Sequence, residues 1–279
     1  MELINYQILG KIAHFNFRFI IMSLGLSTAV CMAQVSAQGS PEIPLTTDRP
    51  GVGDTAYLIP RGYIQLEGGT TFEHDRTRAP LERITTVSLP NSLIRIGMFD
   101  VMELRLLGGE YVYEKTSSGN RDNHDHGVSA PIIGTKLQLT NEDQWMPQTA
   151  VFVNLTIPVG SKRLHPDDVT PDFKIAANYA LSERVSMEVN LGASWKNGLN
   201  EITGFYTTAL GVAMTERFTP FAEVFGNMNG PSTHGFDAGF TYLVLPTVQL
   251  DVSGGPALTN EATDWFVAAG VSYRLPQLW

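Results

Sequence analysis

Residues 248–253 read VQLDVS, and after one loop residues 265–275 read WFVAAGVSYRL. In the first stretch Val248, Leu250 and Val252 take every second position, with a polar residue between them. The second stretch repeats this alternation with small or polar residues between the apolar ones. Because successive side chains of a β-strand point to opposite faces, both stretches predict strands with one apolar and one polar face.

Two architectures accept strands of this kind. A soluble β-sandwich turns its polar faces outward, whereas an outer-membrane barrel turns its apolar faces to lipid and its polar faces to water inside. Beyond the N-terminal region, no stretch is apolar enough for a membrane-spanning helix, which needs about 20 apolar residues. Only helices and closed barrels satisfy every backbone group in lipid, so a membrane position would require a barrel.

The first residues have the features of a secretory leader. Lys11 and Arg18 precede an apolar stretch, and Val35-Ser36-Ala37 supplies the small residues that a signal peptidase recognises. A retained N-terminal anchor is the alternative. We expect three parts, listed in chain order: a cleaved signal peptide (1–37), an extended periplasmic segment (38–61) and an outer-membrane β-barrel (62–279).

Charge and cysteine content exclude some classes of function. The formal net charge is −9, which argues against nucleic acid as a partner. The single cysteine, Cys31, falls in the predicted leader, so we expect no disulfide in the mature chain.

The remaining sequence predicts an all-β fold, a single antiparallel transmembrane barrel of about twelve strands. The predicted strands cover approximately 62–73, 82–98, 102–114, 127–139, 148–157, 172–181, 185–195, 202–214, 218–226, 234–245, 247–255 and 264–275. Tight turns such as 182–184 alternate with longer polar connections such as 115–126 and 158–171. This asymmetry is typical of outer-membrane barrels, whose periplasmic turns are short. Pro90 lacks a backbone donor, so we expect a bulge or opening in the second strand.

An ordered set of short motifs resembles one outer-membrane family, that of the putative MetA pathway of phenol degradation. The matching positions are Thr47-Asp48-Arg49-Pro50, Pro60, Gly62, Gln65, Glu67, Arg95, Gly97, Glu103, Leu104, Arg105, Gly134, Lys136, Pro147, Pro158, Gly160, Glu223, Gly226, Leu250, Asp251, Gly255, Asp264, Gly270, Ser272 and Arg274. The resemblance implies an exported outer-membrane β-barrel with a broad transport role. The chain departs from the usual aromatic terminus by extending through residues 276–279 beyond Leu275.

In a barrel, the alternation turns a set of charged residues inward. The predicted pore-lining residues are Glu67, Arg95, Glu103, Arg105, Lys136, Glu188, Glu223, Asp251 and Arg274, with Lys174 and Asp237 on the same face. The turn near residue 100 places Arg95 opposite Arg105 and Glu103 within reach of both, so we expect Glu103 to be the anion between the two arginines. Arg274 is expected to meet Glu67 across the closing seam.

These features predict a passive outer-membrane channel for small molecules, with aromatic or hydrophobic molecules among the candidates. Its expected partners are outer-membrane lipid, an unidentified solute and the outer-membrane assembly machinery, without a cofactor and without room for a plug domain. Two readings remain open beside it: the inward charges form a salt-bridged filling, or the barrel is a non-conducting structural or adhesion protein.

Two sets of polar residues raise other chemistries. Ser232 and His234 form the only close pair that suggests an outer-membrane lipid hydrolase, and they lack the flanking motif of such enzymes. The second set comprises surface-loop residues that suggest a divalent cation: His124, Asp125, His126, Asp167, Asp168 and Asp172. Because the flanking motif is missing, we expect no enzyme activity. Neither loop repeats the spacing of a known calcium loop, so we expect no metal.

Overall fold

The computed structural model describes residues 44–78, 81–143, 145–196, 199–230, 233–259 and 262–279, so the predicted leader lies outside the described residues. These residues form one antiparallel sheet of fifteen strands. No helix among them is long and apolar enough to cross a bilayer. The strands are β1 (Ile64–Arg78), β2 (Leu81–Leu89), β3 (Leu93–Phe99), β4 (Met102–Leu107), β5 (Tyr111–Ser118), β6 (Arg121–Val128), β7 (Ile132–Thr140), β8 (Gln148–Thr156), β9 (Thr170–Ala180), β10 (Val185–Lys196), β11 (Glu201–Val212), β12 (Phe218–Asn227), β13 (His234–Leu245), β14 (Val248–Pro256) and β15 (Trp265–Arg274).

The sheet closes on itself because β1 pairs with β15, from Gln65 opposite Arg274 to His74 opposite Trp265. Three pairs of consecutive elements each continue one wall strand. These pairs are β2 with β3, β4 with β5, and β6 with β7. Both β2 and β3 are hydrogen-bonded to β1. On the next wall strand β5 is bonded to β2 and β4 to β3, and on the one after it β6 is bonded to β5 and β7 to β4. The wall therefore has twelve strands, and the predicted fold is confirmed.

The three interruptions lie side by side in the wall. The first spans the predicted break at Pro90, between the end of β2 and the start of β3. The second contains Gly108 and Gly109, whose φ values of 82° and 70° are left-handed conformations that glycine adopts without strain. Hydrogen bonds connect neighbouring breaks: Ser92 Oγ donates to the Gly108 carbonyl at 3.0 Å, and the Ser129 amide donates to the Glu110 carbonyl at 2.8 Å.

One predicted connection is wrong. Residues 115–126, expected to form a polar loop, lie mostly in the antiparallel pair β5 and β6, which turns between Ser118 and Arg121. The first four residues of β6 are exposed. Water reaches this hairpin, so it needs no apolar face, and the alternation that reveals the other strands is missing.

The wall has the inverted polarity expected for lipid outside and water inside. Among the described residues, 21 polar or charged residues are buried against eight apolar ones. Neighbours on β14 show the contrast, since Leu250 is 47% exposed and Asp251 is 2% exposed. A closed barrel with an apolar outer face is the β-form that a bilayer accepts.

The N-terminal segment Pro44–Pro60, which we call the strap, forms no strand and lies inside the barrel. Its two ends are bonded to inward residues: Arg274 donates to the Pro44 carbonyl at 3.0 Å, and Glu103 accepts the Ile59 amide at 3.0 Å. Residues 44–60, which the sequence assigns to an extended periplasmic segment, therefore occupy part of the lumen, where no room for a plug domain was expected. The division of the chain at residues 37 and 61 stays a prediction. Buried carboxylate and amide side chains of the wall bind the backbone of the strap. Alternation of apolar and polar residues cannot predict such contacts.

Candidate functional site

Eight charged side chains meet on the side of the lumen formed by β1, β3, β4, β7 and β9. We call them the ion-pair cluster: the cations are Arg95, Arg105, Lys136 and Lys174, and the anions are Asp48, Asp54, Glu67 and Glu103. The formal charges balance. Balance matters here because an uncompensated charge in a buried setting is strongly destabilising.

The wall part of the cluster is centred on Glu103. Arg95 and Arg105 are direct partners in the register of β3 and β4. Glu103 accepts from Arg95 at 2.9 Å through each of its two oxygens and lies 3.3 Å from Arg105. The predicted anion between the arginines is therefore confirmed. Glu67 completes the group at 3.3 Å from Arg95.

The strap supplies the second centre, Asp48. Its carboxylate lies 3.4 Å from Arg95 and 3.2 Å from Lys136, and it also bonds to Arg105. Burial alone would raise the pKa of Asp48, but the three cations outweigh burial and hold this pKa well below its usual range. The cations therefore favour the ionised form of Asp48.

Asp54 extends the strap's anchoring to the next strands. It pairs with Arg105 at 2.9 Å and with Lys174. Phe152 on β8 faces the same cations, with Arg105, Lys136 and Lys174 lying 4.5 to 5.0 Å from its ring centroid. Three cations close to one ring are stabilised by its quadrupole.

The other side of the strap is held mainly by hydrogen bonds to its backbone. Glu223 on β12 accepts the Val52 amide at 2.7 Å and the Gly53 amide at 2.8 Å. Asn190 on β10 accepts the Asp54 amide at 2.9 Å. Residues 50–53 contribute no charged side chain to this side.

Arg49 fixes the strap to the closing seam. Its guanidinium pairs with Asp251 on β14 at 3.0 Å. Gly69 and Gly270 are direct partners in the β1 and β15 register, and a Cβ at either would come within 2.6 Å of this guanidinium. The two glycines thus leave the space that Arg49 occupies.

The predicted direct contact between Arg274 and Glu67 needs a correction. Arg274 lies opposite Gln65, and Glu67 lies opposite Ser272. Gln65 accepts from Arg274 Nε at 3.0 Å and donates to Glu67 at 2.7 Å, so its amide connects the two charges across the seam. The error is a register offset of two residues, which keeps every side chain on its predicted face.

Two cavities lie on either side of residues 49–51. The larger, about 620 Å³, is near the long connections, and we call it the vestibule. The smaller, about 150 Å³, is lined by residues close to the tight turns, and we call it the inner cavity. Arg49, Pro50 and Gly51 line both cavities, so this short stretch of strap separates them.

The predicted pore-lining residues all lie on the inner face, but they fall into separate groups. Glu67, Arg95, Glu103, Arg105 and Lys136 belong to the ion-pair cluster, Glu188 and Glu223 line the inner cavity, Asp251 binds Arg49, and Arg274 lies at the seam. Their role in lining a path remains a prediction. The sequence analysis did not predict the anchoring of the strap or the role of Phe152. For Phe152 a signal was present, because it shares the inward face of β8 with the polar residues Gln148 and Asn154.

The residues that suggested a metal site or a lipid hydrolase have other surroundings in the structure. In the described part of the chain, no group of three or more His, Cys, Asp or Glu side chains is arranged to hold a metal. His124 bonds instead to the Tyr113 hydroxyl at 2.6 Å, and Asp125 pairs with Arg163 at 2.7 Å. Ser232 lies outside the described residues, and His234 Nδ1 lies 3.2 Å from the Tyr206 hydroxyl.

The family model described as "Putative MetA-pathway of phenol degradation" matches residues 47–275. The chain belongs to this family. The match begins inside the strap and ends just after β15, so strap and barrel form one matched unit. Among curated proteins, none matches the chain significantly.

Solved structures supply the second comparison. An outer membrane channel from Pseudomonas putida F1 matches with a TM-score of 0.57 at 13% identity, covering 81% of this chain and all of that one. The KdgM porin matches with a TM-score of 0.46 at 9% identity, covering 76% of this chain and 98% of that one. The translocator domain of the autotransporter NalP from Neisseria meningitidis matches with a TM-score of 0.49 at 8% identity, covering 76% of this chain and 88% of that one. The first likeness shows the β-barrel fold. The apolar outer face of this barrel is the surface that a bilayer accepts.

Proposed function

We propose that this protein is a passive outer-membrane channel for small solutes. Its path would run from the vestibule to the inner cavity, past the strap residues Arg49–Gly53. The observation that carries the proposal is that one short, non-strand stretch separates two cavities at opposite ends of a polar lumen. The family and the barrel fold support this function.

The route follows from the way the lumen is filled. On the β3, β4 and β7 side, the ion-pair cluster occupies the space with paired charges, and moving any of them would separate buried ions. On the β10 to β14 side, displacing residues 50–53 requires breaking a few hydrogen bonds, each worth about 1 kcal/mol. Opening on that side is therefore the less costly movement.

The proposal includes outer-membrane lipid and the outer-membrane assembly machinery as partners, on the strength of the exposed apolar belt. It includes no catalytic step. His234, the histidine of the lipid-hydrolase alternative, lies within hydrogen-bond distance of the Tyr206 hydroxyl.

Planar-bilayer recording tests the proposal. We expect the purified protein to give small, discrete conductance steps, and Glu223→Ala to give larger or more frequent ones because residues 52 and 53 lose their acceptor. Glu216→Ala, in an exposed tight turn, is the control with unchanged steps. Folded protein that stays silent as both wild type and Glu223→Ala would overturn the channel and favour a structural or adhesion barrel.

A further inference from the structure

The vestibule has three phenylalanines on its wall. Phe205 on β11, Phe225 on β12 and Phe266 on β15 all line it. Each lies in the inward phase of its strand, two residues from the inward-facing Thr207, Glu223 and Ala268 respectively. Barrel interiors are usually polar, so three phenylalanines at one end are an exception.

Each of these phenylalanines lies directly opposite a glycine in the sheet register. The pairs are Phe205 with Gly192, Phe225 with Gly235, and Phe266 with Gly255. A Cβ at Gly192 would come within 2.3 Å of the Phe205 ring, and one at Gly235 within 2.4 Å of the Phe225 ring. These rings therefore reach over the neighbouring strand, along the wall, in space that any other residue would fill.

Two of the rings come together across the intervening strands. Phe225 and Phe266 are three strands apart, yet their centroids are 6.3 Å apart at an interplanar angle of 63°. This edge-to-face arrangement is one that aromatic rings prefer, and a third ring can add to it in the same way. The pair bounds a cavity of about 620 Å³, a volume common for small-molecule sites.

The two cations at the vestibule are already paired. Its lining has two cations: Arg49, bonded to Asp251, and Lys174, bonded to Asp54. The third charged residue of the lining is Glu73, an anion. This arrangement leaves the vestibule without a cation dedicated to an anionic solute, so its lining favours an uncharged solute that the rings can contact.

We propose that the vestibule is a binding site for small, uncharged aromatic solutes, held edge-to-face by Phe225 and Phe266. The site deepens the channel function proposed above and rests on it for its biological role. Binding itself needs no conduction, which lets the two ideas be tested separately.

The test compares benzyl alcohol with cyclohexylmethanol, which keeps the hydroxyl and a six-membered ring but lacks π electrons. Ligand-detected NMR on the full barrel in nanodiscs, with protein-free nanodiscs subtracted, gives the affinities. We expect benzyl alcohol to bind more tightly, and Phe225→Leu/Phe266→Leu to weaken it about threefold to tenfold.

The outer wall offers a matched control. Phe218 and Phe240 form a similar ring pair, with centroids 5.4 Å apart, and Phe240 is 39% exposed. Phe218→Leu/Phe240→Leu should leave benzyl alcohol binding unchanged. Equal affinities for the two alcohols, or an equal loss in both double variants, would overturn the proposal. Selective binding to a barrel that is silent in bilayers would instead overturn the channel and leave the binding site standing.

Discussion

The two sides of the strap are held in different ways. On the ion-pair side, Asp48 and Asp54 meet four buried cations, and Phe152 covers three of them. On the cavity side, residues 50–53 rely largely on amide hydrogen bonds, and open space lies above and below them. One side of a single segment therefore serves as its anchor, and the other side is held less firmly.

The largest expected effect comes from the anchor. Asp48→Asn keeps the shape of the side chain but leaves Arg95, Arg105 and Lys136 short of one anion. We expect the free energy of unfolding in lipid vesicles to fall by about 3 to 5 kcal/mol. Urea titration followed by tryptophan fluorescence measures it.

Asp100→Asn is the control for that substitution, because Asp100 lies in an exposed turn. We expect it to change stability by less than about 0.5 kcal/mol. Equal stabilities for the Asp48 and Asp100 variants would remove the distinction between the two sides of the strap.

The pH dependence of this gap sharpens the comparison. Because the folded-state pKa of Asp48 is depressed, its stabilising charge is present above the unfolded pKa of about 3.9 and is lost only as pH falls through the lower folded value. The difference between wild type and Asp48→Asn should therefore be nearly as large at pH 4.5 as at pH 7. A gap that disappears by pH 4.5 would mean that Asp48 is not held by the cations.

Double-mutant cycles compare pairs on the two sides directly. For Arg95 and Glu103, both fully buried, we expect a coupling energy of about 2 to 3 kcal/mol. For Arg49 and Asp251, whose arginine side chain is 13% exposed, we expect about 1 kcal/mol. The substitutions are Arg→Gln and Glu→Gln or Asp→Asn. Equal couplings would contradict the description of one tight and one loose side.

The smallest change in stability is expected at Glu223. Glu223→Gln keeps one acceptor oxygen, so one of the two strap amides loses its bond at a cost of about 1 kcal/mol. Conductance should nonetheless increase, while Glu216→Gln should leave it unchanged. A large loss of stability with unchanged conductance would place Glu223 in the anchor and not at the movable side.

The sequence predicted the wall better than its contents. Alternation identifies the face of each residue, so the sequence predicts both Glu103 between the two arginines and the break at Pro90. The register at the seam was offset because Gln65 and Glu67 are both inward and two residues apart, and alternation cannot distinguish such neighbours.

The strap could not be predicted from periodicity. Residues 44–60 have no repeating pattern, since their backbone is bound by side chains far away in sequence: Glu223 lies 170 residues from Gly53. The family-like motif around Asp48 indicates that the segment matters, but the charges that it meets lie on strands far away in sequence. The β5 and β6 hairpin was missed for a different reason: the exposed first half of β6 needs no apolar face, so the alternation is missing there.

A reversible lock on the strap tests the central claim most directly. A Cβ at Gly53 would come within 2.6 Å of Thr207 Oγ1, so cysteines at both positions lie within disulfide reach. We predict that Gly53→Cys/Thr207→Cys, with the bond confirmed by mass spectrometry, conducts less than wild type when oxidised and recovers on reduction. A linked barrel that conducts as well as the reduced one would contradict a path past residues 50–53.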